Sequence, residues 1–189
     1  SHKPKIRELT WPNEMAFHDD NLFDNDFTSN TELRPNTKRG CLWLDGMNVD
    51  KGDMSRLGDA LKNGFQLLSI SIRNYHFTDS TLSDWKPLWE GIALSSSFER
   101  IHVNDCVVED RWVEYFRIAL ERNTSLLELD LSSTNGIGEE AAKIFAQILR
   151  LNSKLREMKL SQCKMGQGCT SILGEGLFKN STLQMKIGR

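Results

Sequence analysis

The chain has 189 residues, with 24 basic and 26 acidic side chains and a formal net charge of −2 at pH 7. This length supports one globular domain with a hydrophobic core, and the balanced charge argues against nucleic-acid binding, which requires a broad basic surface. No apolar run reaches the roughly eighteen residues of a membrane-spanning helix, so we expect no membrane interaction.

The first part of the chain differs from the rest. It lacks the apolar segment of a secretory signal and an initiator Met, which leaves open that the chain belongs to a longer protein or complex. Residues 14–33 carry six acids and no Lys or Arg. We interpret residues 1–38 as an N-terminal cap with an acidic insertion; whether this insertion only covers the domain or docks on a basic partner stays open.

The four cysteines are Cys41, Cys106, Cys163 and Cys169. None forms a CxxC pair, and no His spacing completes a zinc site. A chain of this length with a leucine-based core does not need disulfides. We therefore expect reduced, mostly buried thiols, no metal or cofactor, and an intracellular, cytoplasmic location.

A repeated apolar pattern, L-x-x-L-x-L, runs through residues 39–189. Copies begin near residues 39, 67, 98, 126, 155 and 183, with a degenerate earlier copy near residue 6. Arg39 stands in the first apolar slot of its copy, and the copy at Leu183 continues poorly. The steps of 28 to 33 residues lie in or near the leucine-rich-repeat range. About five repeats are therefore predicted to stack, because one repeat cannot bury its own apolar face.

Each repeat is predicted to contain a strand and a helix. The alternating L-x-L marks a short strand, and the following Cys or Asn position turns the chain inward, where it satisfies loop backbone groups. Apolar residues at helical spacing follow, such as Val113, Phe116 and Leu120. Asn123, Asn152 and Asn180 mark the helix ends, where we expect them to adopt the left-handed conformation.

The stretch from Leu126 to Ala142 resembles the ribonuclease-inhibitor-like leucine-rich-repeat family, whose repeats have this length and contain a full α-helix. The resemblance covers roughly residues 39 to 187. It implies an α/β leucine-rich-repeat solenoid, a curved horseshoe segment with a parallel sheet on the concave face and helices on the convex face. It also implies that the concave sheet binds another protein.

The positions between the inward residues of each strand should face the partner. Strands stack about 4.8 Å apart, so equivalent positions form columns; one column is predicted to contain Trp43, Ser71, His102, Asp130 and Lys159. Trp43 is the strongest anchor candidate, although it could pack against the acidic segment instead. Cys41 and Ser69 belong to the same face. The predicted partner-binding residues are Trp43, Asp45, Arg73, Arg100, His102, Asp130, Glu157 and Lys159.

No enzyme motif is present, and we expect the chain not to be an enzyme. Ser71, His102 and Asp130 match a hydrolase triad in residue type, but an open sheet offers no oxyanion hole. The predicted function is a protein–protein interaction module, an adaptor or regulatory subunit. A sensor or autoinhibitory fragment of a larger receptor, a GTPase-activator-like regulator, and a structural role such as filament capping remain alternatives.

Overall fold

The computed structural model describes residues 16–18, 40–45, 51–109, 111–178 and 180–186. Fourteen elements fall in these ranges, nine strands and five helices. In chain order they are β1 (Ala16–His18), β2 (Cys41–Asp45), α1 (Lys51–Lys62), β3 (Ser69–Arg73), β4 (His76–Phe77), α2 (Asp79–Leu94), β5 (Arg100–Asn104), β6 (Val107–Val108), α3 (Trp112–Arg122), β7 (Glu128–Asp130), α4 (Glu139–Leu151), β8 (Glu157–Lys159), α5 (Cys169–Leu177) and β9 (Gln184–Lys186).

Seven strands form one sheet in the order β1-β2-β3-β5-β7-β8-β9. All neighbours from β2 onward are parallel, whereas β1 pairs antiparallel with β2. The parallel strands coincide with the sequence copies that begin near residues 39, 67, 98, 126, 155 and 183. The fold is therefore a mixed α/β arrangement with a parallel sheet, in which β1 adds an antiparallel strand at one edge.

The helices lie beside one another in chain order on one face of the sheet. α1 packs on α2, α2 on α3, α3 on α4 and α4 on α5. The alternate strand residues Leu42, Ile70, Ile101, Leu129 and Met158 are buried beneath them. The opposite face, which carries the residues between these, is called the open sheet face below. Among the described residues, no helix is both long and apolar enough to cross a bilayer.

An aromatic cluster fills the core between α2 and α3. Phe77 and Trp85, Trp85 and Trp89, Trp89 and Phe116, Phe116 and Trp112, and Trp112 and Phe77 lie with ring centroids 4.9 to 6.2 Å apart. All five side chains are fully buried. Large aromatic surfaces bury much apolar area per residue, which anchors this pair of helices to the sheet.

Three asparagines, called the asparagine ladder here, each tie one repeat to the repeat before it, from α2 through α5. Asn123 Nδ2 donates to Ile92 O at 2.6 Å and to Ser95 O at 3.0 Å, while its Oδ1 accepts from the Leu126 amide at 2.6 Å. Asn152 repeats the pattern by donating to the helix carbonyl of Leu120 and accepting from its own turn.

Asn180 forms the third rung, with Nδ2 donating to Leu149 O at 2.6 Å and Oδ1 accepting from the Leu183 amide at 2.9 Å. The expected left-handed conformation is wrong. Asn123 has φ −70° and ψ 131°, and Asn152 has φ −79° and ψ 120°, both extended. The side chain, rather than an unusual backbone, explains why asparagine recurs at these positions.

A second row of side chains also joins neighbouring repeats by hydrogen bonds, here at the carboxyl ends of the strands. Cys106 Sγ donates to Ile72 O at 3.7 Å, Thr134 Oγ1 to Val103 O at 2.7 Å, and Cys163 Sγ to Leu131 O at 3.0 Å. Burial raises the pKa of the Cys106 thiol to about 11, so it remains a protonated donor. The prediction that this position turns inward is confirmed, but the carbonyls that it satisfies lie in or directly after the strands of the preceding repeat rather than in a loop.

The asparagine ladder predicts a large cost for Asn123→Ala. Asn123 is 3% exposed, and the change leaves the Leu126 amide without its partner and removes one of the two donors to the Ile92 carbonyl, which keeps only the Ser95 amide. We expect the free energy of unfolding, measured by urea titration and circular dichroism, to fall by about 3 kcal/mol. The neighbouring exposed Thr124→Ala change is the control. An equal effect of both substitutions would contradict the proposed role of the ladder.

Candidate functional site

The strand register aligns the side chains of the open sheet face in two complete columns. Trp43 lies opposite Ser71, Ser71 opposite His102, His102 opposite Asp130, and Asp130 opposite Lys159. This is the column that the sequence predicts. The second column is Cys41, Ser69, Arg100, Glu128 and Glu157.

At the end of β2 and β3, Trp43 and Arg73 form an exposed pair. The guanidinium carbon of Arg73 lies 5.5 Å from the centroid of the Trp43 ring, which is cation–π distance. Trp43 is 38% exposed, and Arg73 is exposed as well. Asp45, two residues after Trp43, lies opposite Arg73 in the strand register. Its carboxylate accepts a hydrogen bond from Asn74 Nδ2 at 2.6 Å. The tryptophan and the arginine therefore present a joined aromatic and cationic surface to solvent.

The strands β5, β7 and β8 carry a network of paired charges. Lys159 Nζ lies 2.5 Å from Glu128 Oε1 and 3.8 Å from Glu157 Oε2. The hydrogen bond to Glu128 raises the pKa of Lys159, so the ammonium is retained at neutral pH. Lys159 compensates one of the two carboxylate charges, and breaking its contacts with Glu128 and Glu157 would oppose the binding of a partner here.

His102 borders this network. Its Nε2 atom lies 3.5 Å from Glu128 Oε1 but makes no hydrogen bond to a described residue. Burial lowers the pKa of His102 below its ordinary value, and this effect outweighs the opposing influence of Glu128 and Asp130. The imidazole is therefore neutral at physiological pH.

The carboxylate of Asp130 is held in place by hydrogen bonds within the domain. Its Oδ1 accepts hydrogen bonds from the Ser132 amide at 2.9 Å and from Asn104 Nδ2 at 3.1 Å. Asn104 also donates to Ser132 O at 3.3 Å. The carboxylate thus fixes the turn that follows β7, which leaves it less available to a partner than an exposed acid.

The sequence predicts that Cys41, Ser69 and Ser71 face a partner, but this prediction is wrong, because all three are buried, with Ser71 only 3% exposed. The serines are short: Ser71 lies between Trp43 and His102, and Ser69 lies beside Arg100, so these longer neighbours screen both serines from solvent. Glu128, which accepts a hydrogen bond from Lys159, is not among the predicted partner-binding residues. Its position beside Arg100 in the second column is the sequence feature that could have identified it as a charged residue of this face.

Comparison with known proteins gives the fold. No protein-family model matches the chain, and no curated protein sequence matches it. Among solved structures, the chain is similar to actin-binding site 2 of leiomodin-1, with a TM-score of 0.58 and 16% identity over 70% of this chain and 76% of that chain. It is also similar to the C-terminal domain of a tropomodulin from Caenorhabditis elegans, with a TM-score of 0.54 and 18% identity over 74% of this chain and 83% of that one.

These similarities correct one prediction and support others. The assignment to the ribonuclease-inhibitor-like family is wrong, because the matching structures are leucine-rich-repeat-like domains of the distinct leiomodin and tropomodulin family. The shared features are coarse: a parallel sheet and stacked helices.

The geometry around His102 predicts a measurable pH dependence. Since its folded pKa is lowered, the unfolded chain binds a proton more readily, and the native state loses stability as pH falls below about 6.5. We expect an NMR titration of the imidazole to give a midpoint below that value. Glu128→Gln should lower the midpoint further, because the carboxylate favours the imidazolium. A higher midpoint in Glu128→Gln would contradict this description of the site.

Proposed function

We propose that this chain is a leucine-rich-repeat solenoid that binds another protein across the open, concave face of its sheet. The observation that carries the proposal is the exposed pair of Trp43 and Arg73. Trp and Arg are the residue types most enriched at the energetic centres of protein interfaces, because each combines a large contact area with directed polar groups. The similarity to leiomodin-1 actin-binding site 2 supports a protein-binding role for the same fold.

The distribution of charge supports an anchor at the β2–β3 end of the face. At the β7–β8 end, Lys159 already contacts Glu128 and Glu157. Among the described residues, Arg73 makes a cation–π contact with Trp43 and forms no ion pair. A partner carboxylate could therefore bind the five N–H donors of this guanidinium without displacing an acid. The remaining predicted residues, Arg100, His102, Asp130, Glu157 and Lys159, then form the surrounding polar surface.

An adaptor or regulatory role inside the cell belongs to the same proposal. All four cysteines are free, and Cys106 and Cys163 are hydrogen-bond donors of the repeat rather than halves of a disulfide. Asn123 and Asn180, which lie in glycosylation sequons, use both amide hydrogens in the asparagine ladder. Reduced thiols and occupied asparagine amides suit a reducing, non-glycosylating compartment.

The test is affinity capture from the native cell with a triple variant, Trp43→Ala, Arg73→Ala and Arg100→Ala. We expect a partner retained by the wild-type chain to be lost by this variant, because the exposed anchor and its neighbouring cation are removed. The matched control is Phe178→Ala, Arg122→Ala and Arg150→Ala, which also removes one exposed aromatic ring and two arginines, but from the helical side.

Thermal unfolding of both triple variants must show that they remain folded. Equal recovery of the same partner by the wild-type chain and the open-face variant would overturn the proposed binding surface. Loss of the partner only in the control variant would assign binding to the helical side instead.

Actin is the second candidate, favoured specifically by the similarity to the leiomodin-1 site that is named for actin binding. We expect the wild-type chain to co-sediment with actin filaments or to shift actin monomers in analytical ultracentrifugation, and the open-face triple variant to do so less. Absence of both signals at low salt, with a correctly folded chain, would remove actin as the partner and leave the general proposal to the capture experiment.

A further inference from the structure

The end of the domain formed by α5 and β9 repeats the pattern of the preceding repeat, but no described repeat follows it. Residues of these two repeats correspond when their numbers differ by 28, as Asn152 and Asn180 do. Five residues of the preceding repeat are no more than 5% exposed: Ile137, Ala142, Ala146, Leu149 and Leu155. Their counterparts are half-buried or exposed: Met165, Thr170, Gly174, Leu177 and Leu183. These five counterparts and Phe178 are called the end face below.

The contact between α4 and α5 shows which kind of neighbour this pattern accepts. Gly176 of α5 packs so closely on Ala146 of α4 that a β-carbon added to Gly176 would lie 2.6 Å from the Ala146 Cα. Gly174 is the counterpart of Ala146, and a β-carbon added there would meet no described atom within 4 Å outside its own helix. The end face therefore has room for another helix at the position where α4 receives α5.

Phe178 adds a large apolar side chain to this surface. Its side chain is 91% exposed. Its counterpart, Arg150, reaches across to the next helix, where Nη2 lies 3.9 Å from Glu175 Oε2. Exposed aromatic side chains are typical anchors of protein interfaces. The phenylalanine at a position from which the preceding repeat contacts its neighbour therefore indicates an apolar contact across the end face.

The sheet provides a second point of attachment at the same end. β9 pairs with β8, and no described strand pairs with its other edge. An unpaired strand edge presents backbone N–H and C=O groups, which a further strand can satisfy. An occupant that supplies both a strand and a helix would therefore continue the sheet and the helix layer together.

The terminal repeat of a second copy of this chain supplies both elements. A twofold axis perpendicular to the sheet would pair β9 with β9 of the other copy in antiparallel fashion and keep both helix layers on one side. The two α5 helices would then run antiparallel, with Gly174 near the axis and Thr170 of one copy facing Leu177 of the other.

The charge distribution of α5 is compatible with a contact between identical surfaces. Such a contact brings like groups together, so charged residues at its centre would oppose it. No residue of the end face is charged. Glu175 is the one charged residue of α5, and its carboxylate lies toward Arg150 on the side of α4.

We infer that the end face joins two copies of this chain into a twofold dimer, in which β9 pairs with β9 and α5 packs on α5. The contact lies at the opposite end of the sheet from β2 and β3. The inference therefore goes beyond the proposed partner binding and does not depend on it.

The experiment measures the mass of the full chain by sedimentation equilibrium over a wide range of concentration, and we expect a monomer–dimer equilibrium. Gly174→Arg should raise the dissociation constant of the dimer by at least about a hundredfold, because it forces two charged side chains together at the axis. The matched control is Ser171→Arg, which adds the same charge to the same helix at the exposed counterpart of Lys143. This control should leave the dissociation constant unchanged.

The space around Gly174 allows the arginine in the folded monomer, and circular dichroism with thermal unfolding checks this for both variants. Gly174→Cys gives a second measurement. Two cysteines at the axis should form a disulfide-linked dimer with oxidised glutathione, whereas Ser171→Cys should not.

Three results would each overturn the dimer. One is equal dissociation constants for the two arginine variants, and another is equal cross-linking of the two cysteine variants. The third is a wild-type chain that stays monomeric at every concentration, which would leave the end face to a further repeat of a longer chain or to another protein.

Discussion

The asparagine ladder is the constraint on which the rest of the structure depends. Each rung uses one side chain to join the carbonyl at the end of the preceding helix to the amides of its own turn. A buried amide that lacks these partners is costly, so the spacing between neighbouring repeats is fixed to within hydrogen-bond tolerance. The backbone at the rungs can then remain extended, which directs the chain straight from the helix end toward the next strand.

Strand pairing, together with this fixed spacing from α2 onward, aligns the columns of the open sheet face. Trp43, Ser71, His102, Asp130 and Lys159 share a column because their strands pair in parallel without a slip. A shift of one residue would move every core side chain to the open face, and the burial of Leu42, Ile70 and Ile101 therefore maintains the register. The surface that we propose for binding is thus a consequence of the same packing that stabilises the core.

Within the aligned columns, side-chain size and charge divide the face into two parts. At the β7–β8 end, Lys159, Glu128 and Glu157 contact one another, and such pairs contribute to a stable surface more readily than to a new interface. At the β2–β3 end, Arg73 stacks on Trp43 beside the short, buried serines of β3. The similarity to leiomodin-1 and tropomodulin describes the framework, whereas these residues give this chain its own binding chemistry.

The sequence by itself determined the repeat period, the alternation of strands and helices, and the membership of the columns, because these follow from the local spacing of apolar residues. It also identified Trp43 and Arg73 as surface residues, but not that they stack. Only the tertiary structure decided that Ser69 and Ser71 are buried and that Glu128 accepts a hydrogen bond from Lys159. It also decided that Asp130 stabilises the turn after β7 and that the asparagines of the ladder act through their side chains. These properties depend on what the neighbouring repeat places about 5 Å away, and residues roughly thirty positions apart in the chain acquire such contacts only when the repeats stack.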